Sequence, residues 1–182
     1  ASLIILRQLD FMKTKELGFD QEALISIRMY PSVETGGINI DKVRTLENEF
    51  RNVPGVKEVS AISNLPGGQF DQLSVFLTDK PEERIDASQL AVDLNGLETL
   101  GIKVSAGRTF NRSQDNDSIN DHYIINHVAA DRLNLENPVG TSLSWSQGGR
   151  SGQGIIVGVS NDFHYQSLHQ EIQPLVMYMD PY

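Results

Sequence analysis

The stretch from Ile155 to Met179, IIVGVSNDFHYQSLHQEIQPLVMYM, constrains this chain more than any other. Ile155-Ile156-Val157 is a β-branched run closed by Gly158, the pattern of a buried strand. Asn161 and Asp162 break it, since both favour turns and helix caps. Phe163, Leu168 and Ile172 give an apolar face to one or two helical turns. Pro174 ends them, because it has no N–H to donate and disfavours helix in the residue before it. Leu175 to Met179 is a second apolar run of strand length. Strand, turn, short helix and strand in this order return the chain to a sheet laid down earlier.

The preceding residues supply that sheet. Residues 1 to 17 read as a helix with Leu3, Ile4, Leu6, Leu9, Phe11 and Met12 as its apolar members. Gly18 fits the left-handed position past a helix end, and Phe19 the apolar residue that packs back on the last turn. Ala23 to Met29 alternates as a strand. Asn39 or Asp41 caps a helix with Val43, Leu46, Phe50 and Val53 at helical spacing; Pro54-Gly55 stops it, and Val56 to Ile62 is the next strand. This is a βαβ-type unit, whose crossover is right-handed in nearly all cases. Leu73 to Leu77 and Ala87 to Leu94 suit a hairpin. Leu97 to Leu100 is a short helix closed by Gly101, and Ile102 to Gly107 is extended. Tyr123-Ile124-Ile125 is a strand, after which Asn126 caps a helix bearing Val128, Ala129 and Leu133. Asn137-Pro138-Val139-Gly140 is a turn, Thr141 to Ser146 a strand, and SQGGRSGQG a flexible hairpin tip.

Composition narrows the functional classes. The chain has 182 residues, 15 Lys and Arg against 24 Asp and Glu, and a net charge of -9. Nucleic-acid and anionic-membrane surfaces call for clustered cations, which an acidic chain does not favour. The absence of Cys removes disulfides, thiolate metal sites and a Cys nucleophile. No run approaches the ~20 apolar residues that cross a bilayer. No signal peptide is visible, as an excised domain would have none.

Each candidate chemical site has a plainer reading. In DNDSIND, Asp115, Asp117 and Asp121 lie close together, but Ile119 occupies a ligand position of a calcium loop, and its Gly and distal Glu are missing. The run Asn111 to Asp121 reads as a solvated acidic loop. His164 and His169 are five apart, not on one helix face, and Asp162 reads as the cap of the following turn with His164 half-buried beside Phe163. Gly148 to Gly154 lacks the Lys-Ser/Thr of a phosphate loop. Ser160 lies outside any GxSxG elbow. Trp145 reads as core. No catalytic, metal-binding or cofactor-binding residue is expected.

Several short blocks, in order, carry a likeness to a known family. They are Gln8 with Lys15-Glu16-Leu17-Gly18-Phe19-Asp20; Pro54-Gly55-Val56; Val59-Ser60; Pro66-Gly67; Leu100-Gly101-Ile102; Gly107-Arg108-Thr109-Phe110; Ile124-Ile125-Asn126; Asn137-Pro138-Val139-Gly140; and the closing stretch with Gly158, Asp162 and Phe163. Together they resemble the extracytoplasmic core domain of MacB-like, FtsX-like ABC transporter permeases of the Bacteroidetes type. The resemblance covers nearly the whole chain, and its residues are fold motifs without assigned chemistry. It implies an α+β, two-lobed domain. Residues 1–19 would extend a membrane helix outward as a stalk, and the bottom-up alternative is an amphipathic helix docked on its own domain. Residues 20–95 plus 153–182 would form a porter-like lobe, with 96–152 inserted as a smaller sabre-like lobe. The implied role is non-catalytic: a periplasmic part of an inner-membrane permease that passes ATP-driven movement to substrate export. The implied partners are its own membrane helices, a cytoplasmic ATP-binding subunit, a second permease copy and a periplasmic or outer-membrane protein. A module sensing a peptide or lipid is the alternative from another class, and a hydrolase a more distant one.

Overall fold

The structure, a computed structural model, describes residues 18–19, 24–29, 39–115, 121–167 and 170–179. In chain order its elements are α1 (Ile40–Arg51), β1 (Gln72–Leu77), β2 (Ile85–Val92), α2 (Gly96–Thr99), β3 (Val104–Gly107), α3 (Arg112–Asp115), β4 (His122–Asn126), α4 (His127–Arg132), β5 (Ser142–Gln147), β6 (Arg150–Ser160) and β7 (Leu175–Met179).

The strand pairings close on themselves. β1 and β2 form the expected antiparallel hairpin, with Leu73 opposite Ala87. β2 runs parallel to β7, which is antiparallel to β4. β4 runs parallel to β6, the start of β6 is antiparallel to β5, and β5 is antiparallel to β1. β6 is 11 residues long, so its start serves β5 and its end serves both β4 and β3. Every strand of the ring turns a side chain into one apolar cluster, including Val75, Ala87, Ile125, Leu143, Ile156 and Val176. Ala129, Ala130 and Leu133 of α4 complete it. On the other face, Leu90, Ile124, Leu175 and Met177 lie under Phe70, α2, Phe163 and Tyr165. β4 is thus buried on both faces, the setting in which an uninterrupted Tyr-Ile-Ile run is stable. Each fully buried Ile or Leu contributes about 1.5–3 kcal/mol.

Several expectations need correction. Residues 24–29 form no strand, and Ile25 and Ile27 stand 90% and 60% exposed. Alternation supplies a face, but a strand also needs a neighbour's N–H and C=O groups. Between Val56 and Ile62 only a bridge from Ile62 to Val92 forms. The βαβ unit is therefore absent among the described residues, although its helix is present. Asn39 caps α1 by accepting from the Lys42 N–H at 3.0 Å, and Val43 is buried. Leu46 and Val53 remain 38% and 46% exposed, so only part of the apolar stripe is used.

No helix occupies the described residues between Phe163 and Pro174. Phe163 and Tyr165 are both buried with His164 between them, and the Tyr165 N–H donates back to the Phe163 carbonyl at 3.0 Å, so the strap turns tightly at His164. The Tyr165 hydroxyl donates to the Pro174 carbonyl at 3.1 Å, tying the strap to the start of β7. Leu168 lies outside the described residues. The flexible tip is also shorter than expected: pairing continues to Gln147 opposite Arg150, leaving only Gly148-Gly149 at φ 55° and 83°. Two consecutive positive φ values are what a tight hairpin turn requires. Gly152 belongs to β6, where a Cβ would stand 2.8 Å from Nε1 of Trp145.

The boundaries at 96 and 152 do not coincide with a break in the sheet. β4 and β5, from the segment expected to form the inserted lobe, hydrogen-bond to β7 and β1 from the other. The helix expected over 1 to 17 and the exit after Met179 lie outside the described residues. No described helix is long and apolar enough to cross a membrane.

Candidate functional site

The residues singled out in the sequence gather at two junctions. At the first, Gly107 of β3 faces Gly158 of β6. Gly107 has φ 76°, and a Cβ there would run into the Val157 carbonyl; one on Gly158 would meet the Arg108 carbonyl. Backbones this close exclude side chains on both. The turn at Asn137-Pro138 feeds the same place: Gly140 N–H donates to the Ile156 carbonyl at 2.7 Å, Thr141 N–H to Pro138 at 3.1 Å, and Val139 abuts Gly107.

Arg108 leaves this junction with its N–H bonded to the Val157 carbonyl at 2.9 Å. Its guanidinium grips Asp115 in a fork, Nη1 to Oδ2 at 2.7 Å and Nη2 to Oδ1 at 2.8 Å. The Asn111 N–H donates to Oδ2 as well. His122 Nδ1 lies 2.8 Å from Oδ1, an ion-pair distance for a protonated ring, though without hydrogen-bond alignment. Burial opposes the charge on Asp115, but the Arg108 and Asn111 hydrogen bonds and the nearby positive charge outweigh it and hold the carboxyl below its ordinary value. The same hydrogen bond raises Arg108. The solvated reading of this loop fails at Asp115, which is 2% exposed. The missed signal was Arg108 itself, a fold-motif cation seven residues ahead of a carboxylate.

At the second junction Asp162 does not cap the turn that follows it. Its Oδ1 accepts from the Val128 N–H at 3.1 Å, in the first turn of α4. Asn126 caps the same helix by accepting from the Ala129 N–H at 3.0 Å. Its Oδ1 also takes the Leu175 N–H at 2.9 Å, and its Nδ2 donates to the Gln173 carbonyl at 3.0 Å. Phe163 is buried, with ring centroids 6.4 Å from Phe19 and 5.7 Å from Tyr165. Gly18, at φ 79°, sits so close that a Cβ would lie 2.8 Å from the Asp162 carbonyl. Met179 is a buried member of the apolar cluster that holds Phe163, and Phe19 packs against that cluster.

Other candidates resolve into structural roles. Trp145 is half-buried against the core and donates Nε1–H to the Tyr123 hydroxyl at 2.9 Å. Burial pushes the Tyr123 hydroxyl up to about 12. Ser160 is fully buried in β6. Ser105 Oγ stands 2.9 Å from His127 Nε2, the spacing of a nucleophile and base. The same hydroxyl also lies 3.0 Å from the Val159 carbonyl, a second acceptor. The Val159 carbonyl thus competes with His127 for the one hydroxyl proton, and which of them takes it depends on the His127 tautomer. Among the described residues no group of His, Asp or Glu is placed to hold a metal ion.

No family model matches the chain, and no curated protein matches it. Solved structures do. The extracellular domain of the noncanonic ABC-type transporter YknZ from Gram-positive bacteria matches with TM-score 0.51 at 20% identity, over 72% of this chain and 59% of that one. The periplasmic region of MacB from Actinobacillus actinomycetemcomitans matches with TM-score 0.52 at 13% identity, over 75% and 54%. A domain of a putative permease protein from Porphyromonas gingivalis gives 0.51 at 18% identity, over 74% and 55%. The chain thus spans between 54% and 59% of these three structures, and shares their sheet-rich α+β fold.

Proposed function

We propose that the chain is the non-catalytic extracytoplasmic part of an ABC transporter permease subunit. In this reading ATP hydrolysis by a cytoplasmic subunit moves membrane helices, and the domain passes that movement to export or to a periplasmic partner, opposite a second permease copy. The observation that carries it is the fold shared with the extracellular domain of an ABC-type transporter, the periplasmic region of MacB and a domain of a putative permease. The packing supports it. Phe19 packs on Phe163, and the cluster that holds Phe163 also buries Met179, so helices leading to these residues would push on one packed core. A closed ring with a packed interior transmits such a push because cores do not deform continuously.

The test uses the full-length permease with its ATPase in lipid. With every cysteine outside this Cys-free chain replaced by Ser, a single cysteine at exposed Glu136 carries the spin label. The distance between labels on the two permease copies should change between nucleotide-free and ATP-trapped states. One distance distribution in both states sinks the reading.

A further inference from the structure

We propose that α1 docks on the body through a proton-sensitive contact. Glu47, on the face the helix turns inward, meets the fixed carboxylate of Asp93. The helix seats firmly when Glu47 carries a proton and is pushed outward when it does not.

The seating of α1 puts a carboxylate where its apolar pattern asks for Leu46. Val43 is buried, Glu47 and Phe50 are half-buried, and Leu46 is left exposed. Val43, Glu47 and Phe50 are four and three residues apart, hence on one helix face. Glu47 is thus the centre of the docked face, with an apolar residue on either side. It lies within hydrogen-bond reach of Asp93, the residue that follows β2. Asp93 is held in place: its Oδ1 accepts from Ser60 Oγ at 2.7 Å and the Asn95 N–H at 3.0 Å, and its Oδ2 from the Ala61 N–H at 3.0 Å. The cations near Glu47 are Arg44 and Arg51 of α1. Arg51 is drawn towards residues 56–61, with Nη2 on the Val59 carbonyl at 3.3 Å and Nε 4.0 Å from Glu58. The Glu58 carboxylate in turn accepts from the Asn95 amide at 2.9 Å. Burial first, and then the Asp93 charge, lift the Glu47 carboxyl above its ordinary value, and Arg51 and Arg44 offset this only in part. A carboxyl whose docked value lies above its undocked one opposes docking while ionised, and stops opposing it as pH falls through that range. Leu46 and Val53 remain exposed, so they add little to hold the helix against the push. This inference does not rest on the permease reading.

The test is native-state hydrogen exchange of the 182-residue chain, read by NMR as protection factors of the α1 amides from Arg44 to Arg51, with the ring amides as internal reference. Protection factors remove the intrinsic pH dependence of exchange. Glu47→Gln is compared with the unmodified chain, and Glu49→Gln, on the solvent side of the same helix, is the control. Gln matches Glu in helix propensity, so neither variant weakens the helix itself. At pH 7 Glu47→Gln should raise α1 protection about threefold, the size of a partly exposed charge contact, and Glu49→Gln should leave it unchanged. At pH 4, below both the docked and the undocked value of Glu47, the Glu47→Gln chain and the unmodified chain should agree. Equal protection in these two at pH 7, a gain that persists at pH 4, or the same gain in Glu49→Gln overturns the proposal.

Discussion

Asp115 keeps its charge where almost no water reaches it, because Arg108, the Asn111 N–H and His122 surround the carboxylate. Asp115→Asn leaves the Arg108 fork half satisfied and should cost about 2–3 kcal/mol, less than a fully buried pair because Arg108 is partly exposed. For a domain of this size that lowers Tm by roughly 4–10 °C, read by calorimetry. The carboxyl's folded value lies below its unfolded one of about 3.9, so its stabilisation is complete above that pH. It is lost as pH falls through the lower folded value. Urea unfolding between neutral pH and pH 3 should show an acid slope that Asp115→Asn flattens. A polar run hid this residue from the sequence reading, since nothing local distinguishes the one carboxylate that folds inward. Gly107 was legible as a motif but not as a close approach. Gly140 has φ 90° with open space around it, so Gly140→Ala should cost only the left-handed strain of about 1–2 kcal/mol. Gly107→Ala adds a clash with the Val157 carbonyl and should cost clearly more in the same urea assay.

Among the elements, α4 was the most readable and still held a surprise. Its cap, its apolar side and its strand neighbour follow from Asn126-His127-Val128-Ala129, but the double service of Asn126 to Leu175 and Gln173 depends on residues 47 and more positions away. Asn126→Ala removes a helix cap and strands the buried Leu175 N–H, for a combined cost of about 2–4 kcal/mol. Asn39→Ala removes an exposed cap only and should cost about 1 kcal/mol or less, with the pair compared by urea unfolding. Equal costs would mean that the link from Asn126 to β7 contributes nothing. The strands of the ring were legible by alternation or by a short apolar run. Residues 24–29 and 56–62 carry the same kind of pattern and are not strands, because periodicity reports which side chains want a common face and not whether a neighbouring backbone is there to pair. The strap at Phe163 to Tyr165 failed for the opposite reason. Its apolar spacing at Phe163, Leu168 and Ile172 suggests helical turns, while the chain turns tightly at His164, with the Tyr165 N–H on the Phe163 carbonyl and both rings buried.

Over the whole molecule, the exposed large apolar side chains are concentrated between Leu24 and Leu65, and the fully buried ones belong to the ring and the strap. Closing the ring requires pairings between the chain's middle and its end, which no local pattern encodes, so the sheet's order was not readable in advance. The closure has an energetic consequence. Amides of Val75, Leu90, Ile124 and Met177 lie in strands paired on both edges, and their side chains are fully buried; exposing them means opening the sheet. α1 and residues 56–61 have few such contacts, and free energies of local opening follow buried contact and protected hydrogen bonds. Native-state hydrogen exchange should therefore separate two populations. The ring amides should exchange only at the global unfolding free energy, with a full denaturant dependence. The α1 amides should exchange at a smaller free energy that denaturant scarcely changes. Asp115→Asn and Asn126→Ala should lower the first population and leave the second where it was, because neither residue touches α1. If α1 instead tracked the ring in every variant, helix and sheet would form one cooperative unit. A firm ring bearing a separately opening helix would then be the wrong description of how this body answers a push.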